Sequence, residues 1–166
     1  MRDDSQGRRR GATAVKASAS VEINHTIEDV FAFVSDVSRM SLWVTGVHSA
    51  RMLSPAMAKG AHFVLEYTGG WRPYELQVII TEYDPPHVIA FQTERGPFGF
   101  EGRMELSPAP TGTKVTSIIE AGPDSVSTRI AVVLLGPILR GSTNRRVLRE
   151  LEALERSIEA DNQLRN

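Results

Sequence analysis

The chain has 166 residues, with 19 Lys+Arg against 20 Asp+Glu, 41% hydrophobic residues and no cysteine. At about 150 residues per domain this length predicts one domain, able to bury roughly 70% of its unfolded surface without a disulfide or a metal. The missing cysteine excludes thiol catalysis and thiolate zinc sites, and the formal charge of −1 argues against a nucleic-acid binder, since neutralising phosphates takes a clear cationic excess.

Residues Met1 to about Ala12 are polar and charged, with nothing to bury, and read as a disordered arm. Arg8-Arg9-Arg10 is followed by Gly11-Ala12-Thr13-Ala14, which is no signal-peptide core. The longest apolar run, Ile130 to Leu135, falls far short of the roughly 20 residues that span a bilayer. A cytoplasmic protein without membrane insertion is the expectation.

The domain expected over residues 13–160 opens with Val15 to Asn24, where Val15, Ala17, Ala19, Val21 and Ile23 alternate as in a half-buried strand. Thr26 and Asp29 form a capping-box-like pair, and Ile27, Val30, Phe31 and Val34 recur at helical spacing. Ser35 or Asp36 can cap a second short helix leading to Trp43.

Six strands follow: Val44–Leu53, Ala61–Thr68, Tyr74 to Asp84, Val88–Thr93, Phe98–Leu106 and Thr113–Ala121. Gly69-Gly70 suits a two-residue hairpin turn, and Asp84-Pro85-Pro86, Gly96-Pro97 and Pro108 to Gly112 punctuate the rest. Strands joined by short turns pair antiparallel with their neighbours.

From Ser125 the period changes to that of a helix. Val147, Leu151, Leu154 and Ile158 form one apolar stripe, Arg146–Glu150 and Glu152–Arg156 are i, i+4 pairs expected on exposed faces, and Asp161 to Asn166 reads as a frayed tail. Ile130 to Leu139 is apolar almost all round and is broken by Gly136-Pro137, a kink or hinge.

An α+β fold results, in which a curved seven-stranded antiparallel sheet wraps a long C-terminal helix. The inner face offers Phe63, Leu65, Tyr67, Tyr74, Leu76, Val78, Ile80, Phe98, Phe100 and Met104. A helix about 10–12 Å across is too narrow to fill such a sheet, so side chains or a ligand must occupy the remaining volume.

The strand, then Thr26-Ile27-Glu28-Asp29-Val30-Phe31, Asp36-Val37-Ser38-Arg39-Met40, Trp43, Gly60, Tyr83-Asp84-Pro85-Pro86, Gly112-Thr113 and an apolar C-terminal helix with Pro137 resemble the START/Bet v 1-like (SRPBCC) superfamily. The similarity runs over about residues 14 to 160 and is nearest to the bacterial polyketide cyclase/dehydrase and lipid-transport branch. It implies a helix-grip architecture, β-α-α-β6-α, around a cavity for hydrophobic ligands.

On this reading the ligand-binding candidates are Trp43, Phe63, Leu65, Tyr67, Tyr74, Leu76, Val78, Phe98, Phe100, Met104, Leu134 and Ile138. Tyr67 and Tyr74 flank the Gly69-Gly70 turn with inward parity and are the candidates for catalysis, each able to donate a hydrogen bond to an enolate. Glu66, Glu75 and Arg103 have the opposite parity and should face solvent. His25, His48, His62 and His87 lie far apart, so no metal site and no cofactor are expected. Binding of a small lipid, isoprenoid or polyketide-like molecule leads the readings. A cofactor-free cyclase or dehydratase, and an interaction module that uses an exposed part of Ile130–Leu139 to form a homodimer or touch a membrane, are the alternatives.

Overall fold

The computed structural model describes residues 15–68, 72–121 and 143–165. Strand β1 (Val15–Ile23) leads into α1 (Ile27–Ser35), a 3-10 turn (Val37–Arg39) and α2 (Met40–Trp43). The strands β2 (Val47–Met52), β3 (His62–Tyr67), β4 (Tyr74–Asp84), β5 (Val88–Arg95), β6 (Phe100–Ala109) and β7 (Gly112–Ala121) follow, and α3 (Thr143–Arg165) closes the fold. All seven strands form one antiparallel sheet in the order β1-β7-β6-β5-β4-β3-β2. This is the helix-grip arrangement.

Local chemistry sets the elements. The Thr26 hydroxyl accepts from the Asp29 amide at the start of α1, and Asp36 receives the Ser38 amide at the 3-10 turn. Register shifts between Val47 and Ser49, between Gln77 and Val78, and between Ile80 and Glu82 mark bulges, which bend strands and increase twist. They lie where β2 pairs with β3 and where β4 pairs with β5.

Some boundaries differ from the sequence reading. The strand expected from Val44 begins at Val47, because the Val47 amide bonds back to the Val44 carbonyl and Gly46 takes a φ of 86°. Phe98 precedes β6, which starts at Phe100 and continues through Pro108 to Ala109. Pro108 is tolerated because its nitrogen lies on the same side as that of Leu106, facing the β5 neighbour, and β5 pairing has ended by then. At the far end α3 runs through Arg165 where fraying from Asp161 is expected. Asp161 is held by Arg39 at 2.8 Å, and the Asn162 amide lies 3.0 Å from the His25 ring. The N-terminal arm, the Gly69-Gly70 turn and the whole Ile130–Leu139 segment with Gly136-Pro137 lie outside the described residues.

Helix α3 rests chiefly on β1, with smaller contacts to β7, α1 and α2. Its stripe of Val147, Leu151, Leu154 and Ile158 is buried there. The inner-face residues in this half of the sheet include the small Ala17, Ala19 and Ser117, with Ala19 directly opposite Ser117. Small side chains let a helix of ordinary width approach the sheet closely.

Candidate functional site

The other half of the concave face carries the large side chains. Tyr67 stacks on Tyr74 directly across the β3–β4 ladder, with ring centroids 5.1 Å apart and planes within 6°. Tyr74 meets Phe98 at 5.7 Å, Phe98 meets Phe100 at 6.3 Å, Phe100 meets Phe91 at 6.0 Å and Phe91 meets Phe63 at 6.4 Å. The chain of rings thus starts and finishes on β3. Leu65, Leu76 and Val78, all buried, share the face between its ends. Edge and tilted contacts of this kind are favourable geometries for aromatic quadrupoles.

Of the ligand-binding candidates, Trp43, Phe63, Leu65, Tyr67, Leu76, Val78, Phe98 and Met104 are buried in one contiguous cluster, with Tyr74 and Phe100 half-buried against it. The structure therefore brings ten of them together. Leu134 and Ile138 lie outside the described residues.

Phe91 links Phe100 to Phe63 in this chain and is absent from the sequence-based set. Its position faces Gly102 across the β5–β6 ladder, and a Cβ on Gly102 would come within 2.4 Å of the Phe91 ring. The bare backbone at Gly102 lets the ring lie across β6. The signal was present in the sequence as a glycine inside an alternating strand, which often marks a close approach.

At one end of the ring, α3 clasps the loop after α2. Arg146 donates to Glu150 at 2.9 Å and to the Thr45 carbonyl at 3.0 Å, while Glu150 accepts from the Thr45 amide at 3.1 Å. Next along, a Cβ on Gly46 would touch the Tyr67 ring at 3.4 Å. The Arg146–Glu150 pair is thus a mostly enclosed tertiary contact, with side chains 20% and 13% exposed, instead of the solvent-facing pair expected. Among the described residues Glu152 and Arg156 form no ion pair.

Burial raises the Tyr67 phenol well above its usual range, with the Glu150 charge adding to the effect and Arg146 opposing it. Burial raises Tyr74 as well. Both hydroxyls stay protonated at neutral pH, so each is a donor and not a base. Neither makes a hydrogen bond among the described residues. One donor of the same buried cluster is enclosed without a partner among the described residues, the Trp43 indole Nε1.

The convex face is different. Glu66 accepts from Ser49 at 2.5 Å, Arg103 pairs with Glu82 and with Glu105, and Lys16 meets Glu120 at 2.7 Å. Two depressions are bounded by described residues. One, of about 350 Å³, is an open depression on the convex face near Glu82, Ala90 and Arg103. The other, of about 260 Å³, is a polar groove where Asp29, Phe33 and Arg39 meet Asp161 and Asn162. Among the described residues no group of carboxylates and imidazoles is arranged to hold a metal ion, and no helix is long and apolar enough to cross a membrane.

Residues 14–159 match the family model described as polyketide cyclase / dehydrase and lipid transport. The chain belongs to this SRPBCC/Bet v 1-like family. Comparison with curated proteins gives no match. Among solved structures, TTHA0849 from Thermus thermophilus is similar with a TM-score of 0.70 and 17% identity over 89% of this chain and 99% of that one. The Zhui aromatase/cyclase from Streptomyces sp. R1128 is similar with a TM-score of 0.68 and 14% identity over 89% and 94%. Ara h 8.0201 follows with a TM-score of 0.59 and 10% identity over 89% and 99%. At these identities the likeness is one of fold. The family comprises proteins that bind hydrophobic ligands or act as polyketide cyclases.

Proposed function

We propose that this protein binds a small hydrophobic molecule against the aromatic half of its concave sheet. The observation that carries the reading is the chain of six aromatic rings beside Leu65, Leu76 and Val78, in the half of the sheet away from the β1 and β7 strands on which α3 rests. Burying a lipid, isoprenoid or polyketide-like guest there contributes about 25 cal/mol per Å² of apolar surface, enough for micromolar affinity with few polar contacts.

Native mass spectrometry of protein from its own host, together with thermal shift against fatty acids, farnesol and polycyclic aromatics, tests it. A co-purified mass or a ligand-dependent rise in Tm is expected. Tyr74→Ala and Phe100→Ala, at half-buried positions that tolerate truncation, should weaken binding at least tenfold while the fold persists. Phe63 and Leu76 are 0% exposed, so charged substitutions there would unfold the chain and test nothing. An intact fold with no uptake of any of these molecules overturns the reading.

A cofactor-free cyclase or dehydratase is the second reading, favoured by the two unpartnered, protonated tyrosine hydroxyls. Each would donate to a carbonyl oxygen as it gains enolate character. Turnover of a polyketide chain that survives chelation and falls at least tenfold in Tyr67→Phe or Tyr74→Phe is expected; unchanged turnover in both removes it.

A further inference from the structure

We infer that the ligand carries a hydrogen-bond acceptor oxygen, a ketone or an ester, and that the Trp43 indole N–H is its donor. The inference rests on the hydrophobic-ligand reading and narrows it. Trp43 ends α2, is only 8% exposed, and belongs to the same buried cluster as Phe63, Leu65 and Tyr67. Its Nε1 is the single buried side-chain nitrogen or oxygen without a partner among the described residues. An indole nitrogen can only donate, so no rotation or tautomer relieves it. Native interiors leave few such groups unsatisfied, and each needs a reason.

The surroundings keep this donor where it is. The Val44 amide bonds to the Met40 carbonyl, and the Thr45 peptide directly beyond is gripped on both sides by Arg146 and Glu150. Trp43 therefore sits on an anchored turn. A packing aromatic alone would be served as well by phenylalanine, which has no polar atom to desolvate. A hydrocarbon guest would leave the N–H unsatisfied, whereas an acceptor oxygen would recover the penalty as affinity.

The test pairs ligands of similar shape that differ in the acceptor: acetylnaphthalene against ethylnaphthalene, and methyl decanoate against undecane. The first pair reports an aryl ligand and the second an alkyl one. In the wild type the oxygen-bearing member of at least one pair should bind about tenfold tighter. It should also shift the Trp43 indole N–H resonance, which Trp71→Phe distinguishes from the other indole. In Trp43→Phe the preference should shrink to within twofold, with the hydrocarbon's own affinity little changed. Should that variant fail to fold, the indole resonance of the wild type decides alone. Equal affinities within both pairs, or an unmoved resonance when the ketone or ester binds, overturn the inference and leave the hydrophobic-ligand reading standing. If none of the four molecules binds while a fatty acid, farnesol or a polycyclic aromatic does without moving the indole resonance, the inference falls and the hydrophobic-ligand reading stands.

Discussion

The two halves of the concave face solve opposite packing problems. Over β1 and β7 the sheet presents Ala17, Ala19 and Ser117, and α3 sits down on them with Leu151 and Leu154 almost completely buried. Over β3 to β6 it presents six linked aromatic rings, and α3 makes no comparable contact there among the described residues. One half is closed by its own chain, with α3 resting over small side chains such as Ala17, Ala19 and Ser117. The other half keeps its large rings together with three donors, on Trp43, Tyr67 and Tyr74, that the described residues leave unanswered.

The largest effect should come from the closed half. Leu154→Ala removes a side chain with no exposed surface from the helix–sheet contact and should cost about 2–5 kcal/mol in urea unfolding. A comparable loss in Phe100→Ala, at a half-buried ring, would erase the distinction between the halves.

Gly102→Ala comes next, at about 1–3 kcal/mol, because the new methyl meets the Phe91 ring. Phe91→Leu in the same chain should return part of that loss, and a double-mutant cycle without coupling would show that the ring is not held across Gly102.

Smaller still is Tyr67→Phe, expected to leave stability at neutral pH within about 1 kcal/mol of wild type, since the hydroxyl makes no hydrogen bond among the described residues. The raised phenol also has a pH signature. In the unfolded chain Tyr67 ionises near 10.0 while the folded form holds its proton, so stability present below that pH is lost as pH rises above it. Thermal melts between about pH 9 and 11 should fall less steeply in the variant.

The smallest effect belongs to the convex face. Arg103 holds the Glu82 carboxyl below its ordinary 4.5, so the pair's contribution is present above that pH and is lost as pH falls through the folded value. Glu82→Gln should therefore differ from wild type at neutral pH by little, and the gap should close below pH 4.5 in acid melts.

The fold was legible because its signals are local. Period-two alternation identified the strands, and Thr26 with Asp29 marked the start of α1. Parity alone predicted that Tyr67 and Tyr74 face one another, since a short turn between alternating strands leaves little freedom of register. The candidate ring was mostly readable for the same reason. Phe91 escaped because what matters there is its partner: a glycine on the next strand acquires meaning only once β5 and β6 are aligned.

What the sequence by itself determined, then, is the order of elements and which side chains turn inward, both consequences of backbone geometry within a few residues. Only the tertiary structure decided how those inward residues divide. Where α3 lands depends on the shape of a curled sheet, and that landing turned Arg146 and Glu150 from a helix-surface pair into a clasp on Thr45. The tertiary structure also buries the Trp43 N–H without an acceptor among the described residues. Contacts between residues a hundred positions apart carry no period for a sequence to display.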